Sequence, residues 1–512
     1  MRRGDYIRGS FVKPEMVDGY IIGVNPGDRE DVLGRFLFSE TSVESCVLGA
    51  SRAVPVWRSK SLAERCGAIR KVREYLNARQ DSIAVLITRE TGKPLWEAQQ
   101  EVLAAVRALD LVLDDGLALL STKVLDAREA RSERLARGVV GIVTPYNMPL
   151  LLPVFQVSCA MLAGNTVVFK PSKFAPGTGQ VLAEAMDRCR LPRGAFNLFQ
   201  GSGAGNGSKL VSHPQLDALL FSGSYRTGQL ISKATQARPE LPVFMQCGGK
   251  GCAIVVEGCD MKRAVYETVI SSFMTAGQRH NSTSRVIVTK DVFDEFCKRL
   301  VRRTGLLQIG YGLERETFMG PVISDLMRKR YFKYCRALQN KGHSPLVSAA
   351  DVDCGRRGFY VHPAIYWVHW EKGAPFLNDE PPGPTLLLYR VDTWEEAVAL
   401  HNRLNYRVAT SLFVDPEHEY LGEMKSRIST GTLNVNRGTI GSSIRLPATG
   451  LGRSSNGIVG GLELLRFLSS PRAVLEDVRP FDPRNALPGM HWMDTSEEPT
   501  DMGAAPQDTE IQ

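Results

Sequence analysis

The segment Phe221-Ser-Gly-Ser-Tyr-Arg-Thr-Gly228 has the residue types that bind a phosphate group, and it directly follows a short apolar run. Small residues at the start of a helix leave backbone N–H groups open, and such a helix start can hold a pyrophosphate. Gly223, Ser224 and Gly228 are therefore candidate nucleotide-binding residues. A second glycine-rich stretch, residues 201–207, does not match the strict G-x-G-x-x-G spacing, so by itself it indicates a flexible loop.

Two other segments place polar side chains at the ends of predicted strands. In Thr144-Pro-Tyr-Asn147-Met-Pro149, prolines restrict the backbone around an amide of the kind that donates to a developing oxyanion. The alternative for Asn147 is an amide that satisfies its own turn. Lys170 ends a second predicted strand, immediately before a Pro-Ser pair. It is either a ligand for a ribose or a phosphate, or a solvated surface lysine.

The middle of the chain alternates short apolar runs with amphipathic stretches. The runs predicted as strands are 139–144, 166–170, 195–199, 218–222, 243–246 and 253–256, and the helices between them include 180–189 and 228–237. This alternation is typical of βαβ units in a doubly wound parallel sheet, in which ligands bind outside the carboxyl ends of the strands. Residues 260–450 alternate again, which predicts a second α/β domain.

The segments before and after this alternating region have other residue patterns. Apolar residues recur at helical spacing over 62–87 and again over 96–113. The charged stretch 126–138 fits either an edge strand or an exposed helix turn. From position 494 onward the chain has six acidic residues and no Lys or Arg, which predicts a disordered tail over 485–512.

Composition excludes several classes of protein. The chain has 512 residues, of which 43% are hydrophobic, and its 63 Lys and Arg against 55 Asp and Glu give a net charge of +8. These values exclude a disordered, collagenous or fibrous protein, and the length suits two to four domains with a large core. A charge this mild does not call for nucleic acid as a partner.

The cysteines and the hydropathy pattern predict a protein of the cytoplasm. None of the ten cysteines forms a C-x-x-C pair or has zinc-finger spacing, so the sequence predicts no metal site and a reducing compartment. The amino terminus lacks the apolar core of a secretory signal, and no apolar run approaches the ~18 residues of a membrane helix, so no membrane partner is expected.

Six motifs, in one order along the chain, resemble the aldehyde dehydrogenase superfamily over about residues 15–480. They are Arg89-Glu-Thr-Gly-Lys-Pro-Leu-Trp-Glu97, Pro145-Tyr-Asn-Met-Pro149, Leu162-Ala-Gly-Asn-Thr-Val-Val-Phe-Lys-Pro-Ser172, Thr275-Ala-Gly-Gln-Arg279, Met319-Gly-Pro-Val-Ile-Ser324 and Gly431-Thr-Leu-Asn-Val-Asn-Arg437. Within the superfamily, the chain looks most like the succinylglutamate-semialdehyde dehydrogenases.

The resemblance implies an α/β fold with three parts. These are a Rossmann-type nucleotide-binding domain at 1–120 and 138–248, an α/β catalytic domain at 249–450, and a small β extension at 121–137 and 467–480 that pairs subunits. It further implies a homodimer or homotetramer, a small aldehyde or semialdehyde as substrate, and NAD or NADP as cofactor. The positions that match the family's cofactor site are Thr144, Pro145, Lys170, Ser172, Lys173, Gly223, Ser224, Gly228 and Glu380.

The sequence departs from the family at the reacting centre. The family reaction uses a Cys thiolate that attacks the aldehyde and a Glu carboxylate that activates water. Here the nucleophile position is His280 and the general-base position is Gln246, which cannot take up a proton, while Asn147 is retained. Cys247 follows Gln246, and side-chain alternation along an extended segment predicts that it points to the opposite side. Lys173 replaces a carboxylate of the family; a cation there suits a 2′-phosphate, or has no role.

These departures predict a scaffold that has lost the standard dehydrogenase activity. Two alternatives remain open at this point. One is an active semialdehyde dehydrogenase with a non-standard mechanism, using His280 as a base or Cys247 as a nucleophile. The other is a non-catalytic structural subunit.

Overall fold

The structure is a computed structural model that describes residues 4–126, 130–369, 375–477, 480, 482 and 486–490. Its strands are β1 (Asp5–Ile7), β2 (Ser10–Val12), β3 (Gly19–Asn25), β4 (Asp28–Phe38), β5 (Lys123–Asp126), β6 (Ala130–Ala136), β7 (Val139–Val143), β8 (Thr166–Lys170), β9 (Phe196–Leu198), β10 (Ala218–Gly223), β11 (Val243–Cys247), β12 (Gly251–Val255), β13 (Thr283–Thr289), β14 (Ser344–Val347), β15 (Ala364–Trp367), β16 (Thr385–Val391), β17 (Tyr406–Arg407), β18 (Ala409–Phe413), β19 (Thr432–Val435), β20 (Leu451–Gly452) and β21 (Ser469–Leu475). The predicted tail at 485–512 lies outside the described residues except for 486–490, so its disorder stays a prediction.

The helices alternate with these strands. They are α1 (Thr41–Arg58), α2 (Leu62–Asn77), α3 (Gln80–Thr91), α4 (Leu95–Asp114), α5 (Leu117–Leu120), α6 (Leu151–Leu162), α7 (Pro176–Arg188), α8 (Ser208–Val211), α9 (Tyr225–Thr235), α10 (Met261–Phe273), α11 (Lys290–Thr304), α12 (Asp325–Asn340), α13 (Trp394–Asn402), α14 (Leu421–Arg427) and α15 (Leu464–Phe467). Among those in the described residues, none has both the length and the apolar character needed to cross a membrane.

Two seven-stranded sheets form the core, which confirms the predicted α/β class. The first has the order β11-β10-β7-β8-β9-β1-β2, and the second has the order β14-β15-β16-β13-β12-β18-β19. The central strands of both sheets run parallel, and strands such as β8 and β12 are buried along their whole length. A parallel sheet covered on both faces requires such continuous apolar runs.

The last of the six runs, 253–256, is β12, and it belongs to the second sheet rather than to the sheet of the five runs before it. The chain leaves β11 through two glycines and Lys250, and Gly249 has a φ of +110°. A Cβ at Gly249 would stand 2.0 Å from the ring of Tyr406. Only glycine fits this turn, and the turn carries the chain from one sheet to the other.

One helix also differs from the sequence-based expectation. The helical stretch 62–87 is two helices, since α2 ends at Asn77 and α3 begins at Gln80. Their apolar faces continue across the break, so periodicity alone does not reveal it. The side chain of Gln80 donates to Asn77 Oδ1 at 2.7 Å across the junction.

The described residues within 122–133 and 471–490 form a separate compact unit. Within it, Arg131 makes a bidentate ion pair with Glu476, at 2.7 and 2.8 Å. Of the charged stretch 126–138, residues 130–136 form strand β6, and residues 127–129 lie outside the described residues. The prediction of a strand is confirmed there, but its edge position is wrong, because β6 lies between β5 and β21 in a three-stranded sheet. The pairing of subunits through this sheet stays a prediction.

Candidate active site

The ends of four parallel strands come together at one edge of the first sheet. Val143 pairs with Lys170 on β8 and with Phe221 on β10, and Ser222 on β10 pairs with Gln246 on β11. The segments that follow these strands therefore start side by side, which is where a doubly wound sheet binds ligands.

A cleft of about 890 Å³ opens at this edge. It brings together seven of the residues singled out from the sequence: Pro145, Asn147, Gly223, Ser224, Gln246, His280 and Glu380. Five others do not line it: Thr144, Lys170, Ser172, Lys173 and Gly228. The three candidate catalytic positions thus share one cavity with part of the candidate cofactor site.

Lys170 is buried next to the glycine-rich segment rather than exposed. Its side chain is 4% exposed, and Nζ donates to the carbonyl of Pro171 at 3.0 Å. A Cβ at Gly207 would stand 3.5 Å from the aliphatic part of Lys170. Burial, together with the positive charge of Lys173, lowers the pKa of Lys170 to about 8. The structure excludes a solvated surface lysine at this position.

Both glycine-rich segments differ from the sequence-based expectation. The segment at 201–207, expected as a loop, contains a helical turn, and the helix expected from residue 228 begins earlier. Residues Gly203–Gly207 form a π-helical turn, capped by Ser202 Oγ, which accepts from the N–H of Gly205 at 2.9 Å. Helix α9 begins three residues before the predicted start because Ser224 caps it, with Oγ accepting from the N–H of Thr227 at 3.3 Å. Gly223 and Ser224, which directly precede α9, line the cleft.

A buried carboxylate on α4 holds the loop that carries His280. This loop has three successive residues in the left-handed region, with φ of 55° at Thr275, 50° at Ala276 and 65° at Gly277. Glu97 accepts from the N–H of Thr275 at 3.1 Å and pairs with the Arg279 guanidinium at 2.8 Å. Burial pushes the pKa of Glu97 up, but the charges of Arg279 and Lys93 outweigh it and keep the pKa below its usual range.

A second carboxylate, one helical turn further along α4, holds the loop that carries Asn147. Glu101 accepts from the N–H groups of Leu150 and Leu151 at 2.9 and 3.2 Å, at the start of α6. It also forms a fully buried ion pair with Lys93. An acceptor at this point satisfies helix N–H groups that have no partner within α6. One helix therefore positions both loops of the cleft.

The amide of Asn147 bonds to the loop of His280 and not to its own turn. Its Nδ2 donates to the carbonyl of Gln278 at 2.9 Å, and the hydroxyl of Tyr146 donates to Gln278 Oε1 at 3.1 Å. An amide nitrogen carries two hydrogens, so one remains for a ligand. This geometry is compatible with the predicted role of Asn147 at an oxyanion.

The side chains of His280 and Gln246 have no hydrogen-bond partner among the described residues. Burial and the neighbouring Arg279 cation lower the pKa of His280 to about 4. The imidazole is therefore neutral at pH 7, and it is a weak base. Gln246 carries no titratable group, so neither replaced position supplies an ionised nucleophile or a carboxylate base.

No cysteine is among the described residues that line the cleft. Cys247 lies on the other face of β11, where its Sγ would be 2.7 Å from a Cβ at Gly228. Burial and the Glu380 carboxylate raise the pKa of Cys247 to about 11. A thiol of that pKa is protonated at neutral pH, and its position matches the orientation predicted from alternation along the strand.

Sequence reasoning missed the residues that hold the cleft together. The motifs assign no role to Glu97 or Glu101, although two carboxylates four residues apart on a largely apolar helix are a usable signal. Lys250 was also missed, and the two glycines before it were the available signal.

Comparisons with known proteins assign the class. A model of the aldehyde dehydrogenase family matches residues 11–474, so the chain belongs to the aldehyde dehydrogenase family.

Particular members of the family resemble it along almost its whole length. The N-succinylglutamate 5-semialdehyde dehydrogenase of Burkholderia orbicola is 32% identical over 472 residues, which cover 91% of this chain and 96% of that one. Lactaldehyde dehydrogenase from Escherichia coli has a TM-score of 0.86 at 27% identity, with 92% and 98% covered. PnpE in complex with nicotinamide adenine dinucleotide has a TM-score of 0.88 at 27% identity, with 94% and 99% covered. The family and this last neighbour support binding of NAD(P) in general.

Proposed function

We propose that this chain is an aldehyde dehydrogenase scaffold that binds NAD(P) and a small aldehyde but does not perform the covalent dehydrogenase cycle. The observation that carries the proposal is the cleft itself. It has the imidazole of His280 and the amide of Gln246 at the two reacting positions, and no cysteine among the described residues that line it.

The chemistry of these two side chains explains the loss. A thiolate is both a strong nucleophile and a good leaving group, which the covalent cycle needs at the two ends of the reaction. A neutral imidazole with a pKa of about 4 offers neither property efficiently. Gln246 cannot accept the proton of a hydrolytic water, and loss of a general base costs a factor of about 10²–10⁴.

The residues at the cleft fit a nicotinamide nucleotide. The Ser224-capped start of α9 offers N–H groups to phosphates, and Asn147 offers a free amide hydrogen. The Glu380 carboxylate, held by the N–H of Gly249 at 3.2 Å, is exposed and suits ribose hydroxyls. When bound, the nucleotide supplies a hydride acceptor. The other residues proposed for the cofactor site are Thr144, Pro145, Lys170, Ser172, Lys173, Gly223 and Gly228.

The ligand class rests on the relatives. The name of the Burkholderia orbicola enzyme specifies a semialdehyde, and we extend that class to this chain as a small aldehyde or semialdehyde. We propose further that the chain forms a homodimer or homotetramer and that its domain boundaries lie at 120, 138, 248 and 450. Light scattering of the purified chain measures the oligomeric state.

Restoring the two family side chains tests the proposal. His280→Cys alone should give one burst of NADH per subunit, because a thioester forms but is hydrolysed slowly. Adding Gln246→Glu should convert that burst into turnover at least ~10²-fold faster than that of the single variant. Gln246→Glu alone is the control and should give no burst, since the nucleophile is still missing.

Calorimetric titration with NAD⁺ and NADP⁺ is the second measurement. Saturable binding of either cofactor supports the proposal. Absence of binding to both would overturn it in favour of a non-catalytic structural subunit. Turnover of aldehydes by the unaltered chain would also overturn it, and loss of that turnover in His280→Ala would establish the non-standard mechanism.

A further inference from the structure

Lys250 occupies a position in the cleft next to the nucleophile position. It lines the cleft and is 6% exposed. Its backbone N–H donates to the carbonyl of His280 at 2.9 Å. Two residues earlier, a Cβ at Gly248 would stand 3.1 Å from Glu380 Oε1 and 3.4 Å from His280 Cβ. The turn that carries Lys250 therefore packs against both the Glu380 carboxylate and the His280 side chain.

The backbone of Lys250 is held in an unfavourable conformation. Its φ is 65°, in the left-handed region that a lysine adopts only at an energetic cost. Strained residues of this kind concentrate at functional sites, where the surrounding structure fixes them. The preceding turn, packed against Tyr406, supplies that constraint.

The amine of Lys250 is poised between its two protonation states. Nζ donates to the carbonyl of Gly383 at 2.8 Å, and its side chain makes no other hydrogen bond among the described residues. Burial lowers the pKa of Lys250 to about 7. The Glu380 carboxylate partly offsets this effect by raising the pKa, and the Arg285 guanidinium lowers the pKa further. About half of the amine is then neutral at pH 7, against roughly 0.04% for a lysine with the ordinary pKa near 10.4.

We propose that Lys250 captures an aldehyde bound in the cleft as a reversible Schiff base. The inference rests on the proposed function, because it requires that the cleft admits a small aldehyde. It assigns a nucleophile to a cleft whose family nucleophile is absent.

The reaction balances without an oxidant or a reductant. The nitrogen lone pair of neutral Lys250 attacks the carbonyl carbon, and a proton moves from nitrogen to oxygen to give a carbinolamine. Loss of one water then gives the imine, and hydrolysis reverses both steps. Asn147, which lines the same cleft, has an amide hydrogen available to donate to the carbonyl oxygen during the attack. A desolvated lysine is an established type of nucleophile for carbonyl compounds.

Reductive trapping on the full chain tests this assignment. The protein is incubated with butyraldehyde and sodium cyanoborohydride, digested, and mapped by mass spectrometry. We expect one saturable alkylated site at Lys250, with a labelling rate that rises to a plateau as the pH passes about 7. Labelling spread evenly over exposed lysines, with no preference for Lys250, would overturn the proposal.

Two variants separate capture from a structural role. Lys250→Arg keeps a cation and a donor for Gly383 but has no amine, so it should fold, keep nucleotide binding and lose the adduct. Lys333→Arg changes an exposed lysine that lines the same cleft, and it should leave the Lys250 adduct intact. An undiminished adduct in Lys250→Arg would refute the assignment.

The outcome is independent of the nucleotide titration. Saturable NAD(P) binding without an adduct at Lys250 would overturn the capture step and leave the scaffold function standing. An adduct at Lys250 without binding of either nucleotide would support capture and overturn the nucleotide part of the proposed function.

Discussion

Removal of the Glu97 carboxylate should destabilise the protein more than any surface ion pair does. The side chain of Glu97 is 0% exposed, and it pairs with Arg279 while it accepts from the N–H and the hydroxyl of Thr275. Glu97→Ala leaves the guanidinium without its carboxylate and the Thr275 donors without an acceptor. Breaking a buried pair in this way costs about 3–5 kcal/mol of unfolding free energy. Glu97→Gln keeps an acceptor and should cost about 1–3 kcal/mol.

Equilibrium unfolding in urea, with refolding verified, measures these differences. The matched control is Glu295→Ala, which removes one partner of an exposed pair with Arg299 at 2.6 Å. Its side chains are 46% and 53% exposed, so the cost should stay below about 0.5 kcal/mol. A cost for Glu97→Ala equal to that of the control would refute the view that α4 holds the His280 loop through this carboxylate.

Two further predictions concern charge. Lys173→Glu should weaken NADP⁺ binding about tenfold relative to NAD⁺ binding, because a carboxylate repels a 2′-phosphate. Calorimetry measures both affinities, and equal changes for the two cofactors would contradict a role for Lys173 in the choice of cofactor. Burial raises the pKa of Asp5 to about 6 from the ordinary 3.8, although Oδ1 accepts from the N–H of Gln200 at 2.8 Å. The unfolded chain therefore ionises first, and folding stability falls as the pH rises through this window by about 3 kcal/mol in all. Asp5→Asn should gain up to that amount above pH 6 and progressively less towards pH 4, whereas a gain independent of pH in urea unfolding would contradict this reasoning.

The class of fold was predictable because parallel strands buried on both faces need continuous apolar runs, and these stand out in the sequence. The apolar runs alone did not show which sheet each run joins, whereas the resemblance implies a domain boundary after residue 248, just before β12. β12 joins the second sheet because of the turn at Gly249. Only glycine fits this turn, because the ring of Tyr406, more than 150 residues away in the chain, leaves no room for a side chain. Similarly, the break between α2 and α3 is a local change of direction that leaves the apolar spacing intact.

The residue pattern and the resemblance predicted that Asn147, Gln246 and His280 lie in one cleft. Each of the three lies next to a predicted strand end or next to one of the motifs that match the family. The support of the cleft did not. Glu97 is 178 residues from Thr275 in the chain, and its partner Arg279 is 182 residues away. Pairs so far apart in the chain follow no periodic pattern and no fixed motif spacing, so only the folded structure reveals them.

The separation between these supporting residues and the reacting positions explains how both reacting side chains can differ from the family while the scaffold persists. The two loops of the cleft are held by Glu97 and Glu101 from α4, and by the bond from Asn147 to Gln278. In contrast, the side chains of Gln246 and His280 make no hydrogen bond to any described residue. Under the proposed function, substitution at these two positions changes the chemistry of the cleft without leaving a buried partner unsatisfied. The same argument requires that the double variant His280→Cys with Gln246→Glu unfold in urea within about 1 kcal/mol of the unaltered chain, and a larger loss would show that the present side chains have acquired a structural role.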